Sequence, residues 1–495
     1  MANAYIEAIL GKFVHVHQSE IRPLLHAFSA FFFLLSAYFV VLPLRDEAAI
    51  SLGTSALPML FLASLVLTML AAPASSYLLS YPHLPKGRAL VLLYRFFGAS
   101  LIFFFLLYFK RVLHSLKSKL TAKNAFNLSV WQDFSWIFTV VRASFFLWIA
   151  LLNLFTISAM WARVTDIMSS EAGTRLFGFV GAGATLGQLI GSLLAVAMAH
   201  LGPVLLLVSA LMMELAARCA LSVGDDDLNQ SSVLRLIQLL MSREESEEQQ
   251  LLERDECASD GGGLTHSGSM EQNSPKPRLV NKLVAMLEGL RLIVASTYLL
   301  HICAFLWLSA VVSSFFYFEK SAVVAGIVHD PLGRRILLAE INSLTAVFIL
   351  IGQLTMTGRL LTWFGIPVAL CALPMVAFLN LTALAASPSS AVVAISEATR
   401  KVINYVVTRP AREILFTVTT PEEKYKAKVC IDTLVQRLGD AAAAGVYKMM
   451  EGLLLEGPSA VAISALPVCV GWLWVAVSLG RRQATLAKML ETTPR

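Results

Sequence analysis

Twelve apolar stretches recur along this chain, near 24–44, 57–79, 89–108, 134–160, 176–198, 201–221, 292–318, 337–356, 360–381, 391–407, 427–454 and 459–479. A run of about 20 mostly apolar residues is what an α-helix needs to cross a bilayer. Inside hydrocarbon a backbone finds no water, so its N–H and C=O groups must pair within the segment, and the helix is the form that achieves this for a single run. The composition agrees: 57% of the 495 residues are hydrophobic and 15% are charged, against roughly 25% charged in soluble domains. The lipid bilayer is therefore the expected solvent and partner.

The chain also repeats itself. Ala162-Arg163 is followed by Thr185-Leu186-Gly187-Gln188-Leu189-Ile190-Gly191, and Ala411-Arg412 by Thr433-Leu434-Val435-Gln436-Arg437-Leu438-Gly439, with one residue of gap. Upstream, Leu24-Leu25-His26 leads to Ser36-Ala37 and Arg45-Asp46, while Leu299-Leu300-His301 leads to Ser309-Ala310 and Glu319-Lys320. Two copies of one membrane module point to a transporter with its site at the repeat interface. The expected fold is an all-α polytopic membrane protein of about twelve transmembrane helices in two six-helix repeats, the major facilitator layout. Residues 1–221 would form the N-terminal bundle, 222–285 a polar cytosolic linker and 286–495 the C-terminal bundle.

The net charge of +6 does not call for nucleic acid, because placement explains it. With both termini and the linker on one side, most Lys and Arg fall there, which marks that side as cytosolic. The basic segment from Lys110 to Lys123 is the exception and is expected as a loop on the far side. Six cysteines lie scattered without a C-x-x-C pair or a His at ligand spacing, so neither metal nor disulfide framework is indicated. No nucleophile–base pair or phosphate loop stands out, no cofactor is expected, and an enzyme is disfavoured. The first span is expected to act as an uncleaved targeting signal into a membrane that the sequence does not specify.

A charge within a span is costly, so each one is a candidate for function. The substrate-binding candidates are the repeat-related pairs Arg45-Asp46 and Glu319-Lys320, Arg142 in the fourth span, the repeat-related Gln188 and Gln436, and Arg437 with Asp440 in the eleventh. Arg437 and Asp440 share a helical face and could bind an anion, clamp each other or, toward Asp432, reach water. Interfacial capping is the rival reading for the two pairs, and snorkelling for Arg142. Glu397, Arg400 and Lys401 could be structural or functional. Glu214 and Arg218 read as an intrahelical pair, and the glycines at 178, 181, 183, 187 and 191 as a packing stripe.

The segment MWARVTDIMSSEAGTRLFGFVGAGATLGQLIGS (160–192) resembles the ATP/ADP translocase family of plastids and intracellular bacteria, as do TRPAREILFTVTTPEEKYKAKVCIDTLVQRLGD (408–440) and Leu44-Arg45-Asp46. The resemblance implies exchange of ATP for ADP, with basic residues holding phosphate and no cofactor. It adds Arg412, at a family lysine position, to the substrate-binding candidates. Where the family carries Lys-Asp after Leu-Arg-Asp, this chain has Ala48-Ala49, and the family's acidic residue in the fourth span has no counterpart. The expected function is alternating-access transport of an anionic, phosphorylated or nucleotide metabolite by a monomer. A proton-coupled carrier using Asp440 or Glu319, and a non-transporting receptor or scaffold, are the alternatives.

Overall fold

The computed structural model describes residues 17–79, 86–121, 135–167, 170–223, 291, 293–416, 431–452 and 458–492. Among them every regular element is helical. The first six are α1 (Gln18–Ile50), α2 (Leu57–Leu79), α3 (Lys86–Thr121), α4 (Ser135–Ile167), α5 (Ser170–Ala197) and α6 (Leu205–Ser222). The second six are α7 (Thr297–Ile327), α8 (Pro331–Thr355), α9 (Thr357–Ala386), α10 (Ser390–Ile403), α11 (Gln436–Gly452) and α12 (Pro458–Thr492). Beyond Val223 the expected linker lies outside the described residues.

Local sequence sets several starts. Ser296, Asp330 and Ser389 cap α7, α8 and α10, each accepting a backbone N–H with its side-chain oxygen, and Pro331 fills the first position of α8, where its missing N–H costs nothing. Other boundaries differ from the hydropathy reading. The Lys110–Thr121 part of the expected basic loop continues α3 as helix. Gly365, at φ 72°, bends α9 near its start, a conformation for which a residue without Cβ is suited. The tenth span is broken: α10 passes through a π-helical turn (Asn404–Thr408) into a short helix (Arg409–Leu415), and a second π turn (Ile431–Val435) precedes α11.

Ten helical segments among the described residues are long and apolar enough to cross a membrane. The two rods that fall short, α10 and α11, are the polar ones of the second half. Outward-facing Leu70, Phe103, Trp136, Trp363, Leu379 and Trp474 are more than half exposed; in water so much apolar surface would drive association, whereas here it faces lipid tails.

Two main cores form, one within the first half and one centred on the second half that also takes in Ala49, Leu57, Leu60 and Phe146 of the first. Leu24, Phe31, Tyr94, Phe145, Ile149 and Met213 build one from α1, α3, α4 and α6, and Phe305, Phe315, Leu370, Leu381 and Trp472 build the other from α7, α9 and α12. The halves join along α5 with α8, α2 with α11 and α1 with α8. Part of this seam is apolar: Ile50 meets Val324 and Leu338, and Val40 and Ala195 meet Ala339, all toward the end of the bundle remote from the start of α1.

Repeat symmetry shows in the crossings of α1 with α5 and α7 with α11. A Cβ at Gly191 would stand 2.6 Å from the Ser36 carbonyl oxygen, and one at the repeat-equivalent Gly439 2.6 Å from Ala310 Cβ. These glycines let the backbones approach, as small residues do in membrane packing. Gly445, also on α11, would meet nothing within 4 Å. Gly191→Ala and Gly439→Ala should each lower the stability of detergent-purified protein by ~1–3 kcal/mol, the cost of overpacking, while Gly445→Ala leaves it level. Thermal unfolding of the three variants checks this, and equal melting of all three would contradict it.

Candidate functional site: a buried charge network between the halves

Charges that α1 and α7 carry into the apolar interior meet there. Arg45 Nε and Nη2 donate to Asp46 Oδ1 at 3.0 and 2.6 Å, and Nη1 donates to the Tyr38 hydroxyl at 3.3 Å. Across the seam, the Tyr317 hydroxyl donates to the same Asp46 oxygen at 3.1 Å. Lys320 Nζ stands 3.6 Å from Asp46 Oδ2 and 3.8 Å from Glu397 Oε1, so one α7 lysine ties a carboxylate of the first half to one of the second.

Glu397 collects the remaining cations. Arg400 Nη2 donates to its Oε2 at 2.7 Å and Lys401 Nζ stands 2.9 Å from Oε1. Both come from the next turn of α10, where positions three and four residues on share a face. Arg400 also donates to Ser313 Oγ at 3.2 Å and Lys401 to Asn342 Oδ1 at 3.1 Å, which pins α10 to α7 and α8. Asp46 and Glu397 are 2% and 6% exposed, so their ionised forms depend on these partners.

Aromatic rings wall the network. The Arg45 guanidinium lies 5.0 Å from the Phe146 ring centre and 6.0 Å from that of Tyr317; Lys320 Nζ lies 5.1 Å from Tyr317 and the Arg400 guanidinium 5.2 Å from Phe316. Ring faces attract cations at this range without neutralising them. Four cations, Arg45, Lys320, Arg400 and Lys401, thus face two carboxylates, a net charge of +2 over the network. Such a site favours an anion of one or two charges.

The structure gathers some sequence candidates here and leaves others elsewhere. Arg45, Asp46 and Lys320 belong to the network. Glu319, their neighbour, does not: it is 1% exposed and neither carboxyl oxygen has a hydrogen-bond partner among the described residues. Arg142 lies one turn from Phe146 with its guanidinium 4.5 Å from the Phe138 ring centre. Arg437 Nη1 donates to Asp440 Oδ2 at 3.4 Å, and Asp440 Oδ1 accepts from Ser314 at 2.7 Å, the geometry of a clamp between α11 and α7. Gln188 is buried on α5, Gln436 is exposed on α11, and nearby Thr185 donates to Gln353 at 2.8 Å to join α5 with α8. Arg412 sits twelve residues past Arg400, about 18 Å along a regular helix, beyond the π turn.

Ala48, where the resemblance led us to expect a lysine, is 1% exposed in the core of the first half, so a side chain there would enter packing instead of the network. Glu214 and Arg218 pair at 3.2 Å as expected, and Arg95 joins them with two 3.0 Å bonds to Glu214.

No family model and no curated protein sequence matches the chain. Solved structures do. A POT family transporter in complex with a thioalcohol-conjugated peptide aligns at TM-score 0.53 and 10% identity, over 93% of this chain and 96% of that one. A POT family transporter in complex with 5-aminolevulinic acid gives 0.52 and 10% over the same shares. The nucleoside transporter NupG gives 0.50 and 11% over 94% and 99%. At this identity the likeness defines the fold: the chain is an integral multi-pass membrane protein with the helical architecture of major facilitator transporters.

Removing one member of a buried charge pair costs ~3–5 kcal/mol because the other is left unmatched. Asp46→Asn should therefore destabilise the protein strongly, and adding Lys320→Met should recover part of the loss, a coupling of about 0.5–3 kcal/mol across the halves. Thermal unfolding of the two singles and the double measures it. Strict additivity would mean that the 3.6 Å contact carries no stability.

Proposed function

We propose that the chain is an alternating-access transporter of an anionic metabolite, with its termini on the cytosolic side. The net positive, buried network between the two halves is the observation that carries this reading. An entering anion competes with Asp46 and Glu397 for Arg45, Lys320, Arg400 and Lys401. Drawing Lys320 away from Asp46 breaks a contact that links the halves, so occupancy of the site biases their relative position.

Phosphorylated anions suit the donors best. Arg45 and Arg400 offer planar guanidinium groups that can take a phosphate or carboxylate through two parallel bonds, and the lysines add compact charge. Phe146, Tyr317 and Phe316 provide ring faces beside those groups, against which a planar ring can stack. A nucleotide is thus one candidate, and ATP/ADP exchange is the finer reading suggested by the sequence resemblance. Arg45 supports it by its position in the network, while Arg412 belongs to the short helix beyond the π turn. Peptides and nucleosides, named for the structural neighbours, carry less negative charge and match the surplus cations less well.

Counterflow in proteoliposomes tests the reading with orthophosphate, a sugar phosphate, a dicarboxylate, ADP, ATP, a dipeptide and a nucleoside as competitors. Phosphorylated anions should compete, and Arg45→Gln and Arg400→Gln should each raise the half-saturating concentration about ten- to a hundredfold, the worth of one charged hydrogen bond. Competition by the dipeptide or nucleoside alone, or wild-type behaviour of both variants, would sink it.

A further inference from the structure

We infer that Glu319 is a proton-binding site, loading and releasing one proton in each transport cycle, so that the chain moves its anion together with H⁺. Its coupling rests on the anion-transport reading, but the site rests on its own geometry. Glu319 is 1% exposed, and neither oxygen has a hydrogen-bond partner among the described residues. Its neighbours one turn away on α7, Phe315, Phe316 and Val323, are core residues. An ionised carboxyl in such surroundings costs several kcal/mol, so the neutral acid is the form that this arrangement holds.

Among the described side chains, the charged groups on the elements packed against α7 are engaged elsewhere. On α1, Arg45 and Asp46 bond to each other and Glu47 accepts from Ser51 at 2.7 Å; on α10, Arg400 and Lys401 serve Glu397; on α11, Arg437 pairs with Asp440. Lys448 on α11 is exposed. On α12, Arg482 bonds Thr297 at the opposite end of α7, where Arg481 and Lys488 also lie along the chain, and the described part of α2 carries no charge. Asp440, the other acid considered for this role, already accepts from Ser314 and Arg437. Among the described residues, Glu319 is therefore the buried acid on α7 and α11 for which neither a hydrogen bond nor an ion pair stands.

The link to transport is covalent. Lys320, the next residue, points its ammonium at Asp46 and Glu397, so a movement of α7 that parts Lys320 from Asp46 also displaces Glu319. Exposure to water on one face would let the carboxyl release its proton as H₃O⁺; on the other face a carboxylate oxygen takes a proton back and the neutral acid is buried again. One proton crosses and nothing is oxidised or reduced.

Two measurements on the full-length protein test this. Infrared difference spectra of wild type against Glu319→Gln at neutral pH should show an acid carbonyl band that the variant lacks; absence of that difference overturns the proposal whatever the transported ion. In proteoliposomes containing a pH-sensitive dye, external orthophosphate or ADP should acidify the lumen of wild type, and Glu319→Gln should abolish the acidification while anion counterflow persists. Anion uptake without proton movement, or acidification that survives in Glu319→Gln, overturns proton coupling. If wild type takes up neither anion, the transport reading has failed, and the infrared result alone decides whether Glu319 holds a proton. Should Glu319→Gln fold poorly, Glu319→Leu, which suits the apolar shell, replaces it in both measurements.

Discussion

A charge placed among membrane-spanning helices must be matched by another charge or by hydrogen bonds, and the centre of this protein is organised around that requirement. Glu397 holds three cations, one from α7 and two from its own helix, and Lys320 passes the connection on to Asp46 in the other half. The two six-helix units thus meet through an electrostatic contact that either an anion or a change of packing can exchange. Apolar contacts such as Ile50 with Val324 and Leu338 close the seam without specifying a ligand.

The polar rods earn their place through the helices around them. α10 and α11 are the least apolar of the twelve, and they lie against α7, which presents Ser313, Ser314, Phe316 and Lys320 to them. Each adjoins a π-helical turn. Such turns are rare and cluster at functional sites, because the wider turn re-aims the side chains that follow it. The lipid-facing helices divide their aromatic residues, with Phe103, Trp136 and Trp474 turned outward and Tyr94, Phe145 and Trp472 turned into the cores.

Several aspects of the site were legible in the sequence. Arg45-Asp46 and Lys320 stand out because an uncompensated charge in an apolar run demands a reason, and the repeat placed them at matching positions. Other parts were ambiguous for equally physical reasons. Glu397, Arg400 and Lys401 read as a local i, i+3, i+4 group that surface helices also contain, and only Lys320, 77 positions away in the chain, makes Glu397 part of a shared centre. Tyr38, Phe146 and Tyr317 give no signal among so many aromatic residues. Ala48 looked like a lost lysine when aligned by motif, yet its direction on α1 turns it into the core of the first half.

By itself the sequence determined that the chain lives in a bilayer, that it is helical, and that it is built from two related halves, since run length, composition and repetition are properties of the chain read in order. Only the tertiary structure decided which charges neutralise one another and which remain over. That assignment depends on the rotation of each helix about its axis and on distances of a few ångströms between segments far apart in the chain. It separates Glu319 from Lys320, adjacent residues with opposite surroundings: the lysine between two carboxylates, the acid beside core residues of its own helix and, among the described residues, without a hydrogen-bond partner.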